Sequence, residues 1–205
     1  MGVAERRARE KEELRQRIVE AATQLFVEEG YSNVSIRRIA DKIEYAPSTI
    51  YLYFKDKSEL INEIIHETFL KLSAALDEIH QANLPLLDSM RKSLRCYIDF
   101  GLRHPHHYVI TFCTPEQQYP HEAAYCEPQI DAAAMECFAK LREGLRECMH
   151  AGVIRPADPE TIAQMVWMLI HGTTSLLITS PTFPWVDRET LIETALDHVL
   201  RSLRP

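Results

Sequence analysis

At 205 residues, 46% of them hydrophobic, the chain can bury a substantial core as one large or two small domains, and its composition is globular, not disordered. A net charge of −7 excludes a protein that coats nucleic acid indiscriminately. The charge is uneven, however: residues 1–57 carry 11 Lys and Arg against 10 Asp and Glu, and residues 58–205 carry 12 against 20, so the first part stays open to a polyanion.

With only six glycines and an abundance of Leu, Ile, Ala, Glu and Arg, the composition favours an all-α chain. The N-terminal "MGVAERRAREKEELRQR" has no apolar centre and therefore does not read as a secretory signal. Its Arg6, Arg7 and Arg9 fit a frayed terminus better than a minor-groove arm. Leu14, Ile18, Ala21, Ala22, Leu25 and Phe26 then recur on one helical face, which Gly30 stops. Ser35 is placed to cap a second, short helix, "IRRIADKI", whose Ile36, Ile39, Ala40 and Ile43 face inward and whose Arg37 and Arg38 face out.

The next stretch, "YAPSTIYLYF" (45–54), is strand-like by propensity. A strand, though, would bury Pro47 and Thr49 beside the tyrosines, whereas a short helix begun by Pro47 places Ile50 and Phe54 together on one face. The helix is the better reading. Asp56 with Glu59 three residues on forms a capping box for a long helix. Beyond it, the breakers predict helices near 57–81, 86–103, 105–113, 121–151, 158–179 and 187–203, with Pro128 kinking or shortening the fourth of these. The longest apolar run, "MVWMLIHGTTSLLI" (165–178), is too short to span a membrane and is interrupted by His171 and three hydroxyl residues.

Two short helices joined by a tight connection, with a third in front, make a helix-turn-helix. The 43 residues "IVEAATQLFVEEGYSNVSIRRIADKIEYAPSTIYLYFKDKSEL" resemble the N-terminal DNA-binding domain of TetR/AcrR-type transcriptional repressors, through Ala22, Leu25, Phe26, Gly30, Tyr31, Ile39, Ala40, Thr49, Ile50, Tyr51, Phe54 and Lys57. The resemblance implies an all-α fold of about nine helices: a helix-turn-helix domain over 1–57 and an effector-binding and dimerisation domain over 58–205. It also implies that the helix at 47–53 enters the major groove, where Ala46, Pro47, Ser48 and Thr49 meet base edges, Tyr51 reaches base or sugar, and Tyr53 a phosphate. Lys57, Arg37 and Arg38 are the phosphate candidates. The chain departs from the family pattern at Glu44, where Gly is frequent, and at Ala46, where Ser is frequent. Glu44 argues against a left-handed residue in the turn, and Ala46 lacks a capping oxygen.

In this family the C-terminal helices bind a small effector and the last two form a homodimer. The 158–179 helix is apolar nearly all round, and the last helix carries Leu191, Ala195, Leu196, Val199, Leu200 and Leu203 on one stripe, in agreement with that implication. Trp167, His171 and Gly172 also resemble the Trp-x-x-x-His-Gly signature of one C-terminal subgroup. Tyr97, Phe112, Tyr125, Gln129, Trp167, His171 and Thr174 are the candidate pocket residues, because pockets combine apolar walls with a few polar anchors. His171 fits a core histidine stacked on Trp167 better than a pocket residue, since i, i+4 neighbours pack whatever the function.

His104, His106, His107, Cys113 and His121 are residue types that suit Zn or Cu, but the His-Pro pair falls at a helix break and no metal site is assigned. The five cysteines form no CxxC pair; reduced thiols in a cytoplasm are the simplest reading. No nucleophile stands beside a base, so no enzyme and no cofactor is expected. The sequence therefore predicts a cytoplasmic regulator whose partners are double-stranded operator DNA, a small-molecule effector and a second copy of itself, with no membrane. A DNA-binding regulator answering to a metal or a protein partner is the alternative.

Overall fold

The computed structural model of the protein describes residues 2–114 and 128–204, which form nine α-helices with no strand among the described residues. The chain divides into two compact units, residues 1–68 with 106–131 and residues 69–105 with 132–205.

The first unit opens with α1 (Val3–Glu29). Its first turns are helical and not frayed: Arg6 pairs with Glu10 at 3.4 Å and Arg9 with Glu13 at 3.5 Å, the i, i+4 spacing that supports an exposed helix. From Ile18 onward α1 buries Val19, Ala22, Leu25 and Phe26, and it ends at Gly30, whose φ of 82° a side chain would resist. A 3₁₀ turn (Tyr31–Asn33) leads to α2 (Ile36–Ile43), capped by Ser35, whose hydroxyl accepts the Arg38 N–H at 3.1 Å. Ile36, Ile39, Ala40 and Ile43 are buried, as their spacing requires.

Glu44 corrects the expectation for the turn: it is left-handed, at φ 62° and ψ 40°. The closure of α2 demands this conformation. Glu44 N–H donates to the Asp41 carbonyl and Tyr45 N–H to the Ala40 carbonyl at 3.0 Å, a Schellman arrangement that needs one left-handed residue. Helix α3 (Pro47–Ile50) follows at once, then a turn through Tyr53, and α4 (Lys57–Gln81). Asp56 caps α4 by accepting the Glu59 N–H at 2.9 Å, while the Glu59 carboxylate reaches back to the Lys55 N–H and not to Asp56 as a strict capping box would.

Leu60, Ile61, Ile64 and Ile65 of α4 are fully buried, so the start of this helix belongs to the first unit, and the units part after Thr68, within α4. The segment expected as one helix over 105–113 is α6 (Pro105–Tyr108) followed by a π-helical turn (Val109–Cys113), with Tyr108 fully buried. That π turn packs on α1, inside the first unit.

In the second unit α5 (Leu86–Arg103) packs against α8 (Pro159–Thr179) and α9 (Arg188–Leu203), and α8 against α9. Helix α7 is described over Pro128–His150, and the start expected near 121 lies outside the described residues. Asp158 and Asp187 cap α8 and α9. At 21 residues α8 is long and apolar enough to cross a membrane, because the helix starts six residues before the apolar run counted in the sequence. Its Ile162, Ala163, Val166, Ile170 and Leu177 are instead buried in the unit. The α9 stripe is likewise spent within the protomer, where Leu196, Val199 and Leu203 are buried.

Candidate functional site

The stretch 45–54 is built around two anchors. Ile50 and Phe54 are buried, and Tyr51, Leu52, Tyr53 and Phe54 donate their N–H groups to the carbonyls of Pro47, Thr49 and Ile50. The result is one helical turn that tightens and stops, shorter than the expected 47–53 helix. Pro47 sits at its first position, and Ala46 supplies the preceding extended residue without a side-chain cap. Ala46 and Ser48 are exposed, Pro47, Thr49 and Tyr53 are half-buried, and Tyr51 is 56% exposed. Sequence reasoning missed Leu52, at 78% exposure the most open large hydrophobic side chain among the described residues. Its only sequence signal is a position between two outward residues.

The basic side chains around this turn differ in how they are held. Arg37 is exposed on the first turn of α2. Arg38 lies beside it but is gripped by Glu29, with Nε–Oε1 at 3.1 Å and a second nitrogen at 2.7 Å, which raises the guanidinium and lowers the carboxylate in pKa. Lys57 points inward. Its ammonium donates to the carbonyls of Tyr31 at 2.6 Å and Val34 at 2.9 Å and lies 4.0 Å from the centroid of the Tyr31 ring, and burial lowers its pKa. It therefore fastens the connection between α1 and α2 to α4, a task that residue type and spacing did not reveal. Arg17 supports the far end, donating to the Ile43 carbonyl at 3.3 Å and lying over the Tyr45 ring.

In the second unit the structure brings together three of the seven pocket candidates. Trp167 Nε1 donates to the Tyr97 hydroxyl at 3.2 Å, and that hydroxyl lies 3.5 Å from His171 Nδ1. Phe138 meets the Trp167 ring edge-on at 6.3 Å, and Trp167 lies against His171 at 5.8 Å. Burial lowers the His171 pKa, favouring the neutral ring. Thr174 is fully buried one turn on, but its hydroxyl donates to the Ile170 carbonyl of its own helix at 2.7 Å. Phe112 belongs to the first unit and packs on Tyr108. Tyr125 and the side chain of Gln129 lie outside the described residues.

Among the described residues no three His, Cys, Asp or Glu side chains gather as metal ligands. His121 lies outside them, whereas His107 Nδ1 is 3.1 Å from the Thr68 hydroxyl. Burial raises the thiols of Cys96, Cys113 and Cys148 and pushes Cys137 up to about 11, so these read as core side chains and not as activated nucleophiles.

A three-helix head presenting a short helical turn, joined to a helical second unit, defines a helix-turn-helix regulator. Residues 18–64 match the bacterial regulatory proteins of the tetR family, and residues 90–202 match the tetracyclin repressor-like C-terminal domain. The chain belongs to the TetR family and is a DNA-binding transcriptional regulator of that type. It is 25% identical over 146 residues to the uncharacterised HTH-type transcriptional regulator YhgD of Bacillus subtilis, covering 71% of this chain and 74% of that one. Among solved structures, FadR of Bacillus subtilis in complex with stearoyl-CoA superposes with a TM-score of 0.77 at 18% identity, over 92% of this chain and 99% of that one. A tetR-family regulatory protein from Rhodococcus RHA1 gives 0.76 at 19% identity, over 93% and 96%. At these identities the two structures speak for the fold.

Proposed function

We propose that the protein is a cytoplasmic homodimeric repressor that binds a near-palindromic operator through α3 of each protomer and leaves it when a small molecule occupies the second unit. The observation that carries the reading is the turn at 45–54, rigid beneath through Ile50 and Phe54 and open above through Ala46, Ser48, Tyr51 and Leu52. Residues 1–57 are assigned to DNA binding and 58–205 to effector binding and dimerisation. Ala46, Pro47, Ser48, Thr49 and Tyr51 face the bases or sugars; Tyr53, Arg37 and Arg38 serve phosphates, Arg38 by exchanging Glu29 for DNA. Lys57 is assigned to a phosphate as well, beside its hold on the Tyr31 and Val34 carbonyls.

Dimerisation is supported by α8, whose Met168, Leu169 and Leu176 remain exposed while Ile162, Val166, Ile170 and Leu177 of the same helix are buried. Gly172, on the same helix, has open space where a Cβ would stand, which leaves room for a partner helix. The effector site is assigned to Tyr97, Trp167 and His171, where three polar groups meet beside the Phe138 ring. Because FadR of Bacillus subtilis is seen with stearoyl-CoA, long-chain acyl-CoA thioesters are the first effectors to try. Effector would act by binding more tightly to the conformation whose heads are wrongly spaced for DNA. Selection of bound duplexes from a random-sequence pool tests the reading: a palindromic consensus is expected, and recovery of no consensus would overturn it.

A further inference from the structure

We infer that the head reads thymine methyl groups, with Leu52 as its principal specificity-determining side chain; this rests on the DNA-binding reading above and names what that site selects. Base-specific recognition in the major groove draws on a small chemical set. Arg or Lys pairs with guanine, Asn or Gln with adenine, Asp or Glu accepts from the cytosine amine, and apolar groups meet the thymine methyl. The reading stretch from Tyr45 to Tyr53 is Tyr, Ala, Pro, Ser, Thr, Ile, Tyr, Leu, Tyr and holds none of the charged or amide types. Two-pronged recognition of guanine or adenine is therefore closed to it. What remains are single hydroxyl bonds, which either member of several base pairs can satisfy, and apolar contact, which only thymine rewards.

The basic side chains beside the stretch do not fill the gap. Arg38 is held by Glu29, Arg17 by the Ile43 carbonyl and the Tyr45 ring, and Lys57 by the carbonyls of Tyr31 and Val34. Arg37 and Lys42 stand on α2, the helix that crosses the backbone in this motif, and Lys55 follows the buried Phe54. These positions suit phosphates.

Leu52 is the most exposed large apolar side chain on the stretch. A lone exposed leucine is ordinary on a protein surface. Here it is 78% exposed, beside Tyr51 at 56%, on a turn whose backbone is pinned on both sides: Leu52 N–H donates to the Thr49 carbonyl at 3.2 Å and Tyr53 N–H to the Ile50 carbonyl at 2.9 Å. An isobutyl group on a backbone held over the buried Ile50 and Phe54 meets a thymine methyl in van der Waals contact and gains nothing from the polar edge of guanine or the amine of cytosine.

The test uses the full-length protein and duplexes selected from a random-sequence pool. Half-sites are expected to hold thymine at the positions under α3. Anisotropy titrations at fixed salt then compare each duplex with one in which a single thymine is replaced by deoxyuridine, which removes only the methyl. Binding is expected to weaken about fourfold for each contacted methyl and about fifteenfold when both half-sites are changed, the ratio expected for a buried methyl-sized group. In Leu52→Ala the preference for thymine over deoxyuridine should fall to about one at the position Leu52 covers, with the salt dependence unchanged, since no phosphate contact is lost. Tight, sequence-selective binding that is indifferent to deoxyuridine at every position, or a guanine-specified half-site unaffected by Leu52→Ala, overturns the methyl readout alone. Absence of any selected sequence overturns the DNA-binding reading and this inference with it.

Discussion

Replacing Lys57 by methionine keeps the length of the side chain and removes its donors. The wild-type ammonium holds two carbonyls, Tyr31 at 2.6 Å and Val34 at 2.9 Å, and faces the Tyr31 ring at 4.0 Å. A hydrogen bond to a charged group contributes about 1.5–3 kcal/mol, and a cation–π contact about 0.5–1 kcal/mol where it is exposed. Lys57 is only partly buried, so solvent screens each contact and water can replace the lost donors; the low end applies, about 2–3 kcal/mol in all. Urea unfolding followed by circular dichroism should register this as a midpoint lowered by about 1 M. Operator affinity should fall as well, because the connection that sets α2 on α1 is loosened. An unchanged midpoint combined with lost DNA binding would refute the latch and return Lys57 to a purely phosphate-facing role.

Glu44→Gly removes a side chain from a left-handed residue and should stabilise the protein by about 1 kcal/mol in the same assay; destabilisation would mean that the Schellman closure is not strained. Ala46→Ser supplies the side-chain cap that α3 lacks, for the Ser48 N–H, since the Thr49 N–H already donates to the Ala46 carbonyl at 2.9 Å, and should add a further ~1 kcal/mol, visible as a higher melting temperature. Burial lowers the pKa of His171, and burial first, then Lys71 and Arg103, lowers that of His104. Groups depressed in the folded state contribute fully above the unfolded value, near 6.5, and lose that contribution as pH falls towards the folded pKa. Stability should accordingly decline as pH is lowered from about 6.5, and His171→Gln should flatten part of that slope; an unaltered slope would speak against a neutral His171 ring beside the Tyr97 hydroxyl. Met168→Glu places a charge on the exposed α8 surface and should turn a homodimer into a helical monomer by light scattering, whereas a persistent dimer would move the interface elsewhere.

Local chemistry made the helices legible. Apolar spacing and the breakers placed α4 at 57–81 and α5 at 86–103, where they are found, and Ser35, Gly30 and Pro47 act as the cap, stop and first residue their types suggest. Long-range chemistry was not legible. Lys57 meets carbonyls 26 and 23 residues away, and Arg95 and Arg91 of α5 bind Glu189, Glu193 and Asp197 of α9 across about a hundred residues, pairings that no local pattern encodes. Glu44 was misread because the closure of α2 overrides its own preference. The cluster of Tyr97, Trp167 and His171 was half legible: the i, i+4 pair on α8 follows from spacing, whereas the tyrosine comes from α5 and joins them only in the folded unit. Leu52 was passed over because leucine reads as core, and only its exposure on the turn sets it apart.

The most direct test of the regulator account is an anisotropy titration of the wild-type protein and Tyr51→Ala against the selected duplex and a scrambled duplex of the same composition, at one salt concentration. The account predicts saturation at two protomers per selected duplex, much weaker binding to the scrambled one, and at least a tenfold loss for Tyr51→Ala with its helical content unchanged. Equal affinity of the wild-type protein for the two duplexes would contradict it.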